Sequence, residues 1–270
     1  MSGRSPTQIW EDALDEGERR LERTPVALAV TGLIGGAEVM FGVTALVVTT
    51  AAMSAVMPDQ TAHLLGSLTF GLALVFITIG RAELFTENFL IPVGSVYAGR
   101  SSVMALARLW LFTLMGNLAG LLLMAVIFAP HGVLPPDSLK AAGKISDTYT
   151  SRAVIPALLS AVAGGALMTL LTWLAAAAEN DTTRVLLGLL VGFVLVAPSL
   201  NHAVVSFGEI GFGLIAGTAS GTVGDLARNF GLAVAGNLVG GVALVTAARV
   251  VQVRGEPGST SGRSDRGQDR

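Results

Sequence analysis

His202, in the run Ala197-Pro198-Ser199-Leu200-Asn201-His202-Ala203-Val204-Val205-Ser206, is a titratable ring set in an apolar stretch of chain. A second polar run, Gly80-Arg81-Ala82-Glu83-Leu84-Phe85-Thr86-Glu87-Asn88, interrupts an equally apolar stretch in the first half. Imidazole has an ordinary pKa of about 6.5, so near neutral pH it can hydrogen-bond an anion or hand it a proton. Ionisable groups are costly inside a bilayer and mark ion or proton pathways where they occur. Two interruptions at matching places in two halves of a chain point to a permeation site. Other chemistries lack their residues. There is no His-Glu-x-x-His and no Gly-x-Ser-x-Gly, and the absence of cysteine excludes disulfides, thiolate metal sites and thiol catalysis. No cofactor or metal-ligand set is expected.

The elements that position these residues are read from composition and hydropathy. Hydrophobic residues make up 52% of the 270, charged residues 13%, and the mean hydropathy is +0.67. A soluble domain carries about 25% charged residues, so the chain is expected to be embedded in a lipid bilayer. A net charge of -2 without a basic, aromatic-interleaved stripe gives no sign of a nucleic-acid partner. A helical span needs about 20 apolar residues, and six regions qualify, near 26–53, 62–82, 103–129, 153–178, 185–201 and 226–251. Spans two and five continue beyond their breaks as short helical pieces near 92–99 and 207–222. Residues 1–24 are too charged for a signal peptide. Trp10, Leu14, Gly17 and Leu21 share one side at helical spacing, which predicts an amphipathic helix on the bilayer surface or against the bundle. Residues 25–252 form the six-span domain, and 253–270 a disordered tail.

Basic residues set the orientation. With the N-terminus inside, the inner segments hold Arg4, Arg19, Arg20, Arg23, Arg100, Arg108, Arg184, Arg249 and Arg254, whereas Lys140, Lys144, Arg152 and Arg228 fall outside. The expectation is a multi-pass protein of the cell membrane with both termini cytoplasmic. The halves echo each other: Gly116-Asn117-Leu118 in span three recurs as Gly236-Asn237-Leu238 in span six. Three spans per half make the repeats inverted, with the path at their interface. The two Gly-Asn pairs are read mainly as close helix packing with an interhelical hydrogen bond.

With Glu83-Leu84-Phe85-Thr86 in the first break, His202 in the second and a Gly-Asn pair in spans three and six, residues 25–250 resemble the formate/nitrite transporter family. The resemblance implies an all-α, aquaporin-like protomer of six spans with the second and fifth broken, assembled as a homopentamer with a pore in each protomer. It implies that Phe70, Leu74 and Leu195 form an inner apolar constriction and that Leu84 and Phe85 contribute to an outer one. Thr86 would be the hydroxyl that bonds the central histidine. The chain departs from the family's usual pattern by having Asn201 in place of Glu and Ser206 in place of Asn, while Arg152 stands near the position of a vestibular lysine. A monovalent anion would be the substrate, with a proton as its companion.

Taking a bare charge into a low-dielectric medium costs on the order of 20 kcal/mol in the idealised limit. Half-helix N-termini, together with Arg152 or Lys144 at the mouth, would offset part of it. His202, oriented by Thr86 and Asn201, would hydrogen-bond or protonate the anion, making transport pH-dependent. Glu83 and Arg81 are expected to pair or to hold loop amides, with Asn88 in support and Glu87 facing an inner vestibule. Glu209 is either a proton relay or an interfacial residue, and His63 and His131 are expected in solvated outer connections. The competing functions are a neutral-solute channel and a non-conducting assembly or sensing protein; an enzyme is not expected.

Overall fold

The computed structural model describes residues 4–135 and 137–256. Every long apolar segment is helical, because a backbone in lipid must satisfy its own polar groups. Helix α1 (Pro6–Glu22) precedes α2 (Pro25–Ser54) and α3 (Asp59–Gly80). After a break come a 3-10 turn (Phe85–Phe89), α4 (Ile91–Tyr97) and α5 (Val103–Phe128). Helix α6 (Ser138–Thr150) connects to the second half, which holds α7 (Val154–Ala177), α8 (Asp181–Val196), α9 (Ala203–Ile215) and α10 (Val223–Leu238). A π-helical stretch (Val239–Thr246) joins α10 to α11 (Ala247–Arg254). Among the described residues five helices are long and apolar enough to cross a membrane: α2, α3, α5, α7 and the continuous rod Val223–Arg254 that α10, the π-helical stretch and α11 make together. The remaining crossing is made in two pieces, α8 and α9, on either side of the His202 break.

Two expectations are corrected here. Residues 138–150, read only as part of a connection, form a helix: its buried Ala141, Ala142, Ile145, Ser146 and Tyr149 pack on α9. The last helix runs through Arg254, so Val253 and Arg254, expected in the tail, are helical. The tail's residues from 257 on lie outside the described ones.

Helix α1 begins with a capping box, Ser5 accepting from the Gln8 amide while the Gln8 side chain accepts from the Ser5 amide. Of its two expected settings, it takes the bundle. Trp10, Ala13, Leu14, Gly17 and Leu21 are all buried, and Trp10 and Leu14 pack with Ile91, Trp173, Val250 and Val253. Ser95 Oγ donates to Leu14 O at 2.8 Å. Arginines gather at this N-terminal face: Arg100 pairs with Glu11 and Asp15, Arg108 donates to Leu21 O, and Arg184 donates to Ala178 O. Lys144 and Arg152 belong to the opposite face, Lys144 pairing with Asp59 at the start of α3.

The two halves are tied together internally by matching contacts. Gly36 of α2 lies so close to α5 that a Cβ would collide with Asn117 O, and Gly165 of α7 stands in the same relation to Asn237 of α10. Each asparagine uses that proximity. Asn117 Nδ2 donates to Gly32 O (2.8 Å) and Glu83 O (2.9 Å), and its Oδ1 accepts from Phe85 N (2.9 Å). Asn237 Nδ2 donates to Ala161 O (2.7 Å) and Asn201 O (3.0 Å), and its Oδ1 accepts from Ala203 N (2.8 Å). Leu84 and His202 are therefore equivalent positions, each between the two bonded backbone groups. Each break also opens on a non-glycine residue in the left-handed region, Arg81 (φ 61°) and Ser199 (φ 51°). Removing one amide strips three bonds from a dry site. At about 0.6 to 1.7 kcal/mol per interhelical bond, Asn237→Ala is expected to cost about 2–5 kcal/mol and to lower the unfolding midpoint in detergent.

Candidate functional site

The site is the place where the two breaks meet. The His202 ring is fully buried and N-caps α9: its Nδ1 accepts from the Val205 amide at 3.2 Å. An Nδ1 that accepts carries no hydrogen, so the ring is the neutral Nε2–H tautomer. Nε2–H then donates to Thr86 Oγ1 of the first half at 2.6 Å. Thr86, itself fully buried, keeps its own hydroxyl hydrogen to offer. This pair bridges the two inverted halves at the centre of the protomer.

Asn201 does not touch the ring, contrary to expectation. Its side chain turns away and exchanges two amide bonds with Asn229 of α10 at 3.0 and 3.1 Å, while accepting from Ser206 Oγ at 2.9 Å. Asn229 Nδ2 also donates to Ser206 Oγ at 3.1 Å. The three side chains form a closed cluster that fixes the loop carrying His202. Asn229 was not singled out from sequence, although an amide inside an apolar span was the available signal.

The first break is held from below by α1. Arg23 Nη1 donates to Glu83 Oε1 at 2.6 Å, Arg20 Nε lies 3.4 Å from the same oxygen, and Arg20 Nη1 donates to Asn88 Oδ1 at 3.2 Å. Glu83 thus pairs with α1 and not with Arg81, whose backbone turns the chain out of α3. Asn88 Nδ2 donates to Leu84 O at 3.1 Å and Trp110 Nε1 to Asn88 O at 3.0 Å. Glu87 accepts from the Leu84 amide.

A vestibule opens at each face. The N-terminal one, of about 490 Å3, is lined among others by Arg20, Arg23, Arg81, Glu83, Glu87 and Arg184. The opposite one, of about 600 Å3, is lined among others by Asp59, His63, Lys144, Thr148 and Ser199. His63 is half-buried in α3 and donates to Val196 O (3.2 Å), which also accepts from the Ser199 amide at 2.8 Å where α8 ends. It is therefore a structural ligand of the second break and not a solvated loop residue. Arg152 Nη1 donates to Ser199 O (2.7 Å) and Ser160 Oγ (3.2 Å), so its charge supports the same break.

Between the vestibules the protein is sealed. Phe70, Leu74, Leu84 and Leu195 have no exposed surface, and Phe85 almost none. Phe70 lies two turns beyond His63 on α3, and Leu195 adjoins Val196, beneath the vestibule opposite α1. Leu84 and Phe85 follow Glu83, above the N-terminal vestibule. With the N-terminus inside, the expected labels exchange places: Phe70, Leu74 and Leu195 are the outer group, and Leu84 and Phe85 the inner. The reason is that α3 enters from the far face, so its early residues cannot be inner ones. Phe85 also stacks edge-on with Phe89 and Trp110, at centroid distances of 4.9 and 6.0 Å.

Comparison with known proteins places this architecture. Residues 7–251 match the model described as formate/nitrite transporter. The chain belongs to the formate/nitrite transporter family. Its relatives include an uncharacterized transporter, YrhG, of Bacillus subtilis, 26% identical over 91% of this chain and 92% of that protein. The formate channel BtFdhC of Bacillus thuringiensis is 24% identical over 91% of this chain and 94% of its own length. Among solved structures, one described as an FNT family ion channel superposes with a TM-score of 0.79 at 21% identity, covering 91% of this chain and 99% of that one. A pentameric formate channel with formate bound gives 0.69 at 21%, covering 84% and 97%. As a formate/nitrite transporter family member, this all-α membrane protein is a transporter and not an enzyme.

The family fold makes α1's grip on the first break testable. Glu16 is pushed up by burial, but Arg20 above all, with Arg19 and Arg23, outweighs this and holds it below its ordinary value of 4.5. A lowered carboxyl stabilises the docked helix above its unfolded pKa, and that contribution is lost as the pH falls through the lowered value. Amide exchange in α1, taken relative to the unprotected rate at each pH, is expected to rise as the pH is taken below 4.5. Arg23→Ala, which leaves Glu83 with the longer Arg20 contact, is expected to raise it at neutral pH.

Proposed function

We infer that this chain carries small monovalent anions of the formate/nitrite class across the cell membrane, through a passage in each protomer centred on His202 and Thr86. The observation that carries the reading is the His202–Thr86 bond, a polar pair from opposed halves sealed between two apolar groups and facing a vestibule on either side. Formate channels among its relatives support the substrate class, and the pentameric formate channel of similar fold supports a homopentamer. The arginines gathered at the N-terminal face support cytoplasmic termini by the positive-inside rule.

The spare Thr86 hydroxyl hydrogen is a donor for an anion that has shed its water, and the Nε2–H becomes a second one when it leaves Thr86 Oγ1. Each replaces hydration that the apolar groups deny it, and a neutral ring attracts the anion without trapping it as an ion pair would. Passing a proton to the anion from Nε2 requires a second proton at Nδ1, and that site is free only when the Val205 amide lets go. Protonation of the ring and release of the α9 cap are thus one event, which ties anion passage to pH. The apolar groups must also part, since no surface is open at Phe70, Leu74 or Leu84 in this closed form.

Proteoliposomes swollen in ammonium formate, ammonium nitrite and glycerol test the reading: the two salts are expected to enter and glycerol to stay out. Entry of glycerol, or of none of the three, would defeat it. Loss of one hydrogen bond of about 1 kcal/mol is expected to slow formate uptake several-fold in Thr86→Val. His202→Phe is expected to alter the pH profile of uptake, and an unchanged pH profile in that variant would rule out the central role of the ring.

A further inference from the structure

Two turns along α9 from His202, Glu209 is a carboxyl with 1% of its surface exposed. Neither of its oxygens makes a hydrogen bond of ordinary geometry. The polar groups that face it are the Tyr149 hydroxyl of α6 and the Arg152 guanidinium. Arg152 is committed elsewhere, donating to Ser199 O and Ser160 Oγ and resting 5.2 Å from the centroid of the Tyr149 ring. No salt bridge to Glu209 is formed among the described residues.

The other elements packed on α9 bring no charge to this carboxyl. Helix α5 presents Leu121 and Leu122 to Gly208 and Gly211 of α9. On α10, Asn229 is bound into the Asn201 and Ser206 cluster, Asp225 caps its own helix, and Arg228 donates to Thr150 O and Arg152 O. The one acid of α2 within the span, Glu38, faces Gly80 toward the N-terminal vestibule. In the 3-10 turn, Thr86 is engaged by His202 and Glu87 by the Leu84 amide. The charged residues of α6 lie on its outer side, Lys140 with Asp137, Lys144 with Asp59 and Asp147 with the Ser220 amide.

A carboxylate stripped of water and left without a cation is costly, whereas the neutral acid is not. Its charge would also oppose any anion descending from the vestibule beyond Thr148 and Ser199, through a medium that screens it poorly. Tyr149, itself buried, stands between Glu209 and Ser199, and Ser199 lines that vestibule. We propose that Glu209 is the proton-loading group on the side opposite the N-terminus, and that anions pass its level only while its carboxyl is neutral. In loading, the Tyr149 hydroxyl hydrogen moves to the Glu209 carboxylate as the Tyr149 oxygen takes the Ser199 hydroxyl hydrogen and Ser199 takes one from a vestibular hydronium. One O–H bond forms on Glu209, those of Tyr149 and Ser199 are restored, and the hydronium is left as water. Unloading is the reverse. The proposal rests on the anion-transport reading and adds a second titratable group to it.

The test is formate flux in proteoliposomes at acidic and neutral pH, paired with infrared spectra of the purified protein across the same range. Glu209→Gln, a neutral isostere, is expected to conduct at both pH values, with the ratio of acidic to neutral flux falling toward one. Glu209→Asp is expected to keep the dependence. The unmodified protein is expected to show a carboxylic C=O band that titrates and is absent from Glu209→Gln. Should Glu209→Gln not fold, the same band is read in Tyr149→Phe, where it is expected to shift. A Glu209→Gln flux ratio equal to that of the unmodified protein, or a spectrum without any band assignable to Glu209, overturns the proposal. If the unmodified protein carries no formate at all, the transport reading fails, while the infrared titration still decides whether Glu209 binds the proton.

Discussion

A helix that breaks inside a membrane releases amide and carbonyl groups where no water can satisfy them. The architecture of this protein follows from meeting that demand twice. Asn117 and Asn237 each reach from a neighbouring helix into a break and satisfy two carbonyls and one amide in the same pattern. The side chains differ in what they gain from this. Position 84 is held as an apolar leucine and position 202 as a histidine, so one scaffold presents an oily group and a titratable one at matched depth. The asymmetry that permits chemistry lies in the side chains the symmetric frame carries, Leu84 and Thr86 in one half and His202 and Val204 in the other.

Around that frame, each face stabilises its nearer break with cations. At the N-terminal face the cations come from α1, through Arg20 and Arg23 on Glu83. At the opposite face they come from the connection between halves, through Arg152 on Ser199 O. Neither set of charges reaches the centre. The polar centre is neutral, built from imidazole, hydroxyl and amide groups, and suits a route on which a charged substrate must not be held.

Much of this was legible in the sequence, for definite reasons. The spans stood out because lipid demands long apolar runs, and His202 because no other side chain in its span has an ordinary pKa near neutrality. The Gly-Asn pairs marked the repeat because a glycine followed by an asparagine recurs in Gly116-Asn117 and Gly236-Asn237. What escaped notice depended on contacts between distant elements. Helix α6 is too polar to read as a span, and its buried face exists only against α9. The partner of Glu83 lies sixty residues away in Arg23, whereas the local candidate, Arg81, is spent on turning the backbone. Which apolar group lies nearer α1 is fixed by the direction of α3, a property of the chain's path and not of Phe70 or Leu74 themselves.

The π-helical stretch between α10 and α11 has a consequence of its own. A π turn accommodates an extra residue and rotates everything that follows relative to an uninterrupted α-helix. Before it, Asn237 points at the His202 loop. Within its last turn, Thr246 donates to Phe89 O of the first break at 2.8 Å, and beyond it Val250 and Val253 pack against α1. A single rod thereby reads both discontinuities and the amino-terminal segment in succession, which regular winding would have aimed in other directions. Deleting one residue there would put the helix back in phase and unhook the far end from everything it touches.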